Sequence, residues 1–196
     1  MPNMKAAILK LHSVVLTREK QILLQEELDR YAKATNWIIK AALKNHLLRP
    51  TKITEALGET FFDQFDRRPE YLADVVTTAC SEIARYRRLS NTIRSMRDKT
   101  PFFKKGRAIY SQPIVKLSES GITVTLWDRT HLPIPFDKFS RNKSANEISE
   151  ILKGEPPKAD ADGKMPLNQR YERIRLTWIR EGFLRIDIRA NIKKGY

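Results

Sequence analysis

The sequence predicts an α+β protein in which one strand precedes a group of helices and a run of strands follows them. Residues 5–15 mix aliphatic and β-branched side chains, a composition typical of a strand. Up to about residue 96, apolar residues then recur at three- and four-residue steps, which is the period of amphipathic helices. From Pro101 onward, short β-type runs divided by turn residues replace that period.

The helical part is predicted to be an antiparallel bundle. Its first long helix begins after Thr17, a residue type that caps helices, and ends before Pro50. A shorter helix is expected over 53–65, and Pro69 opens another that runs to about Met96. The buried stripe of the first helix comprises Leu24, Leu28, Tyr31, Thr35, Ile38 and Ala42. The seam of the last comprises Leu72, Val76, Ala79, Ile83, Tyr86 and Ile93. Matching seams on two long helices predict that they pack together.

The β-rich part is predicted to end in a hairpin. Before it, short strands are expected over 114–117, 121–127 and 131–136. Ser144 is expected to cap a short helix through Leu152, and residues 154–168, with three prolines, predict a flexible loop. Strands over 171–179 and 183–192 then form the hairpin.

Three segments follow from this order of elements. Residues 1–16 supply the first strand of the β part, and residues 17–100 supply the helices. Residues 101–196 supply the remaining strands, the short helix and the loop. The β part is therefore expected to be built from both ends of the sequence, with the helices inserted between them.

The composition favours a partner with many negative charges. The chain of 196 residues has 37 Lys and Arg against 23 Asp and Glu, a net charge of +14. Such an excess destabilises a compact chain by self-repulsion unless a polyanion offsets it. The alternative is a protein that is basic for no functional reason, but the clustering of the charge argues against it.

Cysteine and histidine content argues against a metal site. The single cysteine, Cys80, excludes an internal disulfide and a cysteine-based zinc site, and we expect it to act as a small buried hydrophobe. His12, His46 and His131 show no metal-ligand spacing. The first residues lack a signal-peptide core, and no segment reaches transmembrane length. We therefore expect an intracellular, cytoplasmic protein with no cofactor and no membrane partner.

A first cluster of cations spans residues 85–107, where Asp98 is the single acidic residue. Its members are Arg85, Arg87, Arg88, Arg94, Arg97, Lys99, Lys104, Lys105 and Arg107. On a continuous helix Arg87, Arg94 and Arg97 would share one side, and a helix side of one sign repels itself unless phosphate neutralises it. The alternative is a solvated helix end.

Aromatic residues are interleaved with this first cluster. Phe102, Phe103 and Tyr110 lie among the cations of its C-terminal part. Rings and cations together suit a single-stranded or irregular RNA. Packing at the junction between the helices and the sheet would account for the same rings equally well.

A second cluster lies on one face of the predicted hairpin. Its inward positions are Ile174, Leu176, Trp178, Leu184, Ile186, Ile188 and Ala190. Its outward positions are Arg173, Arg175, Thr177, Arg185, Asp187 and Arg189. Arginine forms bidentate hydrogen bonds to phosphate and stacks on bases, so this face predicts RNA contacts, with Asp187 orienting its neighbours. The alternative is a sheet that merely exposes arginines, and we expect Trp37 and Trp178 to pack in cores.

No arrangement of residues predicts catalysis. The acidic residues fall mostly on predicted helix surfaces or in the loop at 154–168. None has the strand-end placement that a two-metal nuclease needs, and no nucleophile elbow is present. We therefore predict no catalytic residues and no metal ligands.

The order of elements and several residues resemble the N-terminal half of TnpB (OrfB), the transposon-encoded RNA-guided DNA nucleases related to type V CRISPR effectors. The similar features are Tyr31 and Asn36-Trp37 on the first long helix, the run Pro101-Phe102-Phe103-Lys104-Lys105, and the closing arginine hairpin. The resemblance implies an oligonucleotide-binding-like β-barrel, the wedge domain, with an inserted helical bundle, the recognition lobe.

The resemblance also implies partners and contacts. Guide RNA and the guide–target heteroduplex would be bound by Arg173, Arg175, Arg185, Arg189, Lys104, Lys105, Arg107, Arg87, Arg88, Arg94 and Arg97. DNA beside the target would lie near Thr77, Thr78 and Ser81. The RuvC-type nuclease half of the family has no counterpart up to Tyr196, so we expect the non-catalytic half of such a system. Three alternatives stay open: a truncated or split product, a system whose nuclease is a separate polypeptide, or a nuclease-free protein that retains only binding.

Two other functions remain open on the sequence. A regulator that binds double-stranded DNA would use the helical arginines of residues 85–97 as its recognition surface. A basic assembly subunit would instead place its cations against an acidic partner protein.

Overall fold

The computed structural model describes residues 4–153, 168, 170–180 and 182–193. Within these residues the chain is α+β with antiparallel strand pairs, which confirms the predicted class. It forms two compact units, one of Met1–Leu24 with Tyr110–Tyr196 and the other of Gln25–Ile109. No described helix is both long enough and apolar enough to cross a lipid bilayer.

The strands of the described residues form two sheets. In chain order they are β1 (Met4–His12), β2 (Arg107–Ser111), β3 (Val115–Leu117), β4 (Gly121–Thr125), β5 (His131–Pro135), β6 (Tyr171–Arg180) and β7 (Phe183–Lys193). The order in the larger sheet is β1-β7-β6-β2, and in the smaller sheet β3-β4-β5. The predicted hairpin is therefore present, and the first strand of the chain pairs with its returning strand. Strand β2 was not predicted from the sequence.

A short continuation of β1 joins the two sheets. Ser13 forms an antiparallel bridge with Phe136, and the Val14 amide donates to the Pro135 carbonyl at 3.0 Å. Within the smaller sheet, a Cβ on Gly121 would lie 2.4 Å from the Ile134 carbonyl oxygen, so only glycine permits β4 and β5 to approach so closely. The described strands form two bridged sheets and not a closed barrel.

The helices of the second unit begin and end at residues with recognisable roles. They are α1 (Arg18–Lys44, which starts in the first unit), α2 (Pro50–Gln64) and α3 (Pro69–Thr92), with a 3₁₀ turn at Arg94–Met96. Pro50 and Pro69 occupy the first turns of their helices, where the missing N–H costs nothing. All six predicted stripe residues of α1 are buried. On α3 the predicted seam is buried as far as Ile83, whereas Ile93 is exposed beyond the end of the helix.

Two short helices, α4 (Lys138–Lys143) and α5 (Ala145–Leu152), belong to the first unit. The predicted cap at Ser144 is only partly correct: Ser144 precedes α5, but its side chain forms no capping hydrogen bond. Asp137 caps α4 instead, where its carboxylate accepts a bond of 3.0 Å from the Ser140 amide. Burial raises the pKa of the Asp137 carboxyl, but the bonds from Ser140 outweigh that effect and lower the pKa below its ordinary value.

A charged cluster lies within the core of the helical unit. The Arg68 guanidinium lies 2.6 Å from Asp66 and 3.9 Å from Glu27. The side chains are 5%, 3% and 0% exposed, respectively. Burial disfavours the charged guanidinium, but the hydrogen bonds and charge of Asp66 outweigh it and raise the pKa of Arg68. Two carboxylates around one buried guanidinium tie the turn before α3 to α1.

Replacing Arg68 by methionine should therefore destabilise the protein by about 3–5 kcal/mol, because two carboxylates would be left buried without their cation. Urea unfolding of the variant and the wild type measures the difference. As a control, Lys52→Met removes a solvent-exposed partner of Glu55 and should change the free energy of unfolding far less, since water screens that pair. Equal losses in the two variants would contradict the importance of the buried cluster.

The Asp137 cap should stabilise the protein in a pH-dependent way. Since the folded-state pKa is lowered, its ionised form adds stability at neutral pH, and that contribution is lost as the pH falls through the folded-state pKa. The Asp137→Asn variant keeps a side chain that caps helices but does not titrate. The stability difference between wild type and variant should shrink between about pH 7 and pH 3, measured by urea unfolding. A difference that grows on acidification would contradict this sign.

Candidate nucleic-acid interface

The outward face of β1, β7 and β6 brings the second cation cluster together on three strands. Strand β7 lies between the other two, so each outward residue of β7 has one neighbour on either side. From β1 through β7 to β6, the rows are Ile8–Arg189–Arg173, Lys10–Asp187–Arg175 and His12–Arg185–Thr177. We call the charged residues of these rows the arginine face. They are Lys10, His12, Arg173, Arg175, Arg185, Asp187 and Arg189.

The opposite side of these strands is a continuous apolar layer. Six of the seven predicted inward residues of the hairpin are buried, namely Ile174, Leu176, Leu184, Ile186, Ile188 and Ala190. Trp178, opposite Leu184, is only partly buried, so the expected core position of this ring is correct only in part. The predicted alternation is otherwise confirmed. A rigid underside therefore holds the arginine face.

Asp187 is the single carboxylate among the three rows. Its side chain is 11% exposed, and its Oδ1 lies 3.2 Å from Nε of Arg185. That distance is within the range of an ion pair, but the atoms are not aligned as a hydrogen bond, and both are buried with no hydrogen-bond partner among the described residues. We treat the contact as electrostatic, because charge attraction depends on distance far more than on angle.

Two other arginines of the face are not neutralised in this way. Arg175 and Arg189 are exposed and form no ion pair within the part of the chain that the structure describes. Arg173 and Arg185 are partly buried. One carboxylate thus faces four arginines and Lys10, so the face keeps a net positive charge.

The helical cation cluster is less continuous than predicted. Ile93 adopts an extended conformation, which ends α3 at Thr92 and starts a 3₁₀ turn at Arg94. The expectation that Arg87, Arg94 and Arg97 share one helix side is therefore wrong, because they do not lie on one helix. Arg87 and Arg88 are exposed on α3, whereas Arg85 is paired with Glu82 at 2.5 Å.

The segment after the 3₁₀ turn is fixed to α1 by Asn36. Its side-chain amide donates to the Phe103 carbonyl at 2.9 Å, and its carbonyl accepts from the Phe103 amide at 2.8 Å. Asn36 thus satisfies both backbone groups of Phe103, as a neighbouring strand would. The ring of Phe103 is buried beside Tyr31, with the ring centroids 5.8 Å apart.

The cations of this segment differ in their availability. Lys105 is paired with Asp29 at 3.1 Å, and the Arg107 guanidinium lies 5.2 Å from the centroid of the Phe103 ring. Lys104 is exposed and forms no ion pair in the described residues. Of the three predicted rings, Phe103 and Tyr110 are buried and pack, whereas Phe102 is 60% exposed. Of these three rings, only Phe102 is therefore accessible for stacking on a base of RNA.

The residues expected near target-adjacent DNA are not equally accessible. The Thr77 and Ser81 hydroxyls lie on an exposed part of α3 and donate to the carbonyls of Ala73 and Thr77. Thr78 is buried, and its hydroxyl is 2.8 Å from that of Tyr31. Thr78 therefore does not fit the expected DNA contact, because its polar atom is engaged in the core of the helical unit.

Sequence reasoning missed the contribution of β1. Lys10 and His12 are exposed and alternate with buried Leu9 and Leu11, a period-2 pattern that is visible in the sequence. What the sequence does not show is that these residues lie beside Asp187 and Arg185. The expected core position of Trp37 is correct in part: its ring packs against Phe61 and Phe65 at 6.4 and 5.7 Å, but the residue is only partly buried.

The described residues contain no group of three or more His, Cys, Asp or Glu side chains placed to hold a metal ion. Cys80 is partly exposed instead of fully buried as expected.

The sequence matches no protein-family model and no curated protein. The resemblance to TnpB therefore remains an expectation drawn from the residues.

The position of Asp187 allows a test in which two roles give opposite signs. If Asp187 orients Arg185 and Arg175, Asp187→Asn should weaken binding of a single-stranded RNA oligonucleotide about threefold to tenfold, an effect of the size found for coupled neighbours. If Asp187 only repels phosphate, the same substitution should strengthen binding, since it adds one net positive charge. Filter binding at fixed salt measures the change, and tighter binding would overturn the orienting role.

Proposed function

We propose that the chain is a nucleic-acid-binding module that holds RNA on the arginine face. The observation that carries the proposal is a group of cations distributed over three adjacent strands, with Asp187 as the one carboxylate in their rows and a buried apolar layer behind them. The planar guanidinium group is itself a pre-organised set of donors, and the sheet fixes the backbone that carries it, so less entropy is lost for each hydrogen bond formed to phosphate.

The spacing of the arginine face suits a chain of phosphates. Neighbouring strands lie about 4.8 Å apart and alternate residues of a strand about 6.8 Å apart. The cations are therefore spread over the sheet in two directions, as a grid, and not gathered at one position. Arg175 and Arg189, without ion pairs among the described residues, supply charge at two separate rows of that grid. An extended polyanion can contact several rows at once, and each contact releases counterions.

We further propose that the β unit acts as an open oligonucleotide-binding-like barrel. Both sides of the smaller sheet are connected to the larger one within this unit. Ser13 bridges to Phe136 beside β5, and the Leu117 amide of β3 donates to the Tyr171 hydroxyl of β6 at 3.2 Å. These two links support a curved, barrel-like arrangement, although the described strands do not close it by backbone pairing.

In this proposal the module is the non-catalytic half of a TnpB-like RNA-guided system within the cell. Guide RNA and target DNA would be its partners, base pairing would choose the sequence, and the protein would recognise shape and phosphate. A separate RuvC-type nuclease chain would supply cleavage. The roles of several carboxylates support a non-catalytic chain: Asp66 and Glu27 hold Arg68, Asp137 caps a helix, and Asp187 faces Arg185.

Charge reversal at the two exposed arginines tests the proposal. Arg175→Glu with Arg189→Glu should weaken RNA binding by about a hundredfold or more, because each substitution replaces a phosphate contact with a repulsive charge. Binding should be measured by filter retention at several salt concentrations. The salt dependence should also become shallower, by about one unit of log–log slope for each phosphate that the protein no longer binds.

The matched control changes the net charge equally at another place. Lys33→Glu with Lys40→Glu alters two exposed cations of α1 that form no ion pairs among the described residues. This control should weaken binding only a few-fold, through the long-range field. Equal losses in both double variants would reject the arginine face as the site. Tighter binding of duplex DNA than of RNA would instead favour a double-stranded DNA regulator, and no binding to either would favour an assembly subunit.

A further inference from the structure

One side of α3 forms the floor of a groove within the helical unit. The groove has a volume of about 270 Å³. Its floor residues are Cys80, Ile83, Ala84, Arg87 and Arg88, which occupy positions i, i+3, i+4, i+7 and i+8 and so share one helix side. The facing wall is Leu48, together with Leu47 before it.

The wall is placed by the turn that follows α1. His46 has a left-handed backbone with φ of 54°, and the Leu47 amide donates to the Ala42 carbonyl at 2.8 Å. This bond ties the turn to the end of the helix, so the leucines are held and not free to collapse onto the floor. Leu48 is 55% exposed, so its side chain is accessible to a ligand in the groove.

The groove has two chemically different halves. At one end Cys80, Ile83 and Ala84 provide an apolar floor, and at the other Arg87 and Arg88 are exposed with no ion pair in the described residues. The neighbouring pair of Glu82 and Arg85 does not line the groove. An occupant should therefore have a flat or compact apolar part joined directly to an anion.

We propose that this groove holds one unpaired nucleobase of a bound RNA, with the phosphate of that nucleotide on Arg87 and Arg88. The inference rests on the proposed RNA binding and adds a second, single-strand-selective site to it. A volume of about 270 Å³ lies just below the roughly 300–1,000 Å³ of pockets for drug-sized ligands, so it suits a single ring system. In RNA complexes unpaired bases are splayed out and pack against flat groups such as guanidinium planes, and guanidinium groups also bind the phosphates.

An acidic partner peptide fits the groove less well. A docked amphipathic helix needs an apolar stripe long enough for anchors over two turns, such as positions i, i+3 and i+7. Here Arg87 and Arg88 interrupt the apolar floor after one turn, so the groove takes one apolar group only. A nucleotide joins one such group to one phosphate.

Alkylation of Cys80 measures occupancy of the groove, because the chain has a single cysteine and it lines this site. The 196-residue chain is saturated with a single-stranded RNA oligonucleotide or with duplex RNA of equal length, and the rates at which Cys80 reacts with a small thiol reagent are compared. Single-stranded RNA should slow alkylation several-fold, because a nucleotide in the groove covers the thiol. Duplex RNA has phosphates but no unpaired base and should leave the rate unchanged.

A groove-filling variant provides the second measurement. Ala84→Phe places a ring in the groove at an exposed position of α3 and should weaken single-stranded RNA binding about fivefold without affecting duplex RNA. The matched control is Ala73→Phe, at another exposed position of the same helix that does not line the groove, and it should change neither affinity. If Ala84→Phe proves unstable, the variant Arg87→Glu with Arg88→Glu takes its place. In that variant, single-stranded RNA should protect Cys80 from alkylation less than it does in the wild type.

The outcomes separate this site from the arginine face. RNA that binds while Cys80 remains unprotected, or equal protection by single-stranded and duplex RNA, overturns the nucleobase groove and leaves the proposed function intact. Protection by an acidic peptide but not by single-stranded RNA overturns it in favour of a protein partner. An absence of RNA binding overturns both proposals together.

Discussion

The pairing of β7 between β1 and β6 is the constraint on which the candidate interface depends. Because side chains alternate along a strand, a shift of one residue in either pairing would move the arginines to the apolar side. The buried layer prevents that shift, since Ile186 and Ile188 would have to become exposed. The register that forms the core thus also fixes Arg185, Asp187 and Arg189 on the outward side.

Buried and exposed cations of this chain differ in how many carboxylates surround them. Where a cation is buried, as at Arg68, carboxylates approach it from two elements and the cluster is nearly closed to solvent. Where cations are exposed on the sheet, a single carboxylate is present in their rows. A buried cation must be neutralised by carboxylates of the protein, whereas an exposed cation need not be. The excess positive charge therefore lies on the surface, where an anion from outside can reach it.

Local periodicity predicted much of the fold. Every residue that the helix period assigned to the α1 stripe is buried. The strand period assigned the inward and outward residues of the β6–β7 hairpin correctly, apart from Trp178, which is only partly buried. These predictions succeed because one buried side of each element sets its pattern over many residues. The end of α3 was missed because no glycine or proline marks it, and the segment beyond it is set by Asn36, whose partner Phe103 is distant in sequence.

The parts of the candidate site that the sequence did not predict also depend on contacts between residues that are distant in the sequence. Lys10 and His12 join the arginine face only through the pairing of β1 with β7, a contact between opposite ends of the sequence. The burial of Thr78 depends on the Tyr31 hydroxyl, whose oxygen lies 2.8 Å from that of Thr78 and also within hydrogen-bond distance of the Asp74 and Ile109 carbonyls, at 3.2 and 3.0 Å, as alternative acceptors for its single proton. Such hydrogen bonds arise from three-dimensional proximity, and no spacing along the chain predicts them.

Imperfect hydrogen bonding at the centre of the arginine face bears on its function. Thr177 Oγ1, Arg185 Nε and Asp187 Oδ1 are buried and form no hydrogen bond among the described residues. Arg185 Nε and Asp187 Oδ1 attract each other electrostatically at 3.2 Å, whereas Thr177 Oγ1 has no such partner among the described residues and costs about 1–3 kcal/mol. Buried polar atoms without partners are rare in native proteins and often mark functional sites. Their position beside Arg175 and Arg189 supports the proposed RNA-binding role of the arginine face over the alternative of a face that carries arginines incidentally.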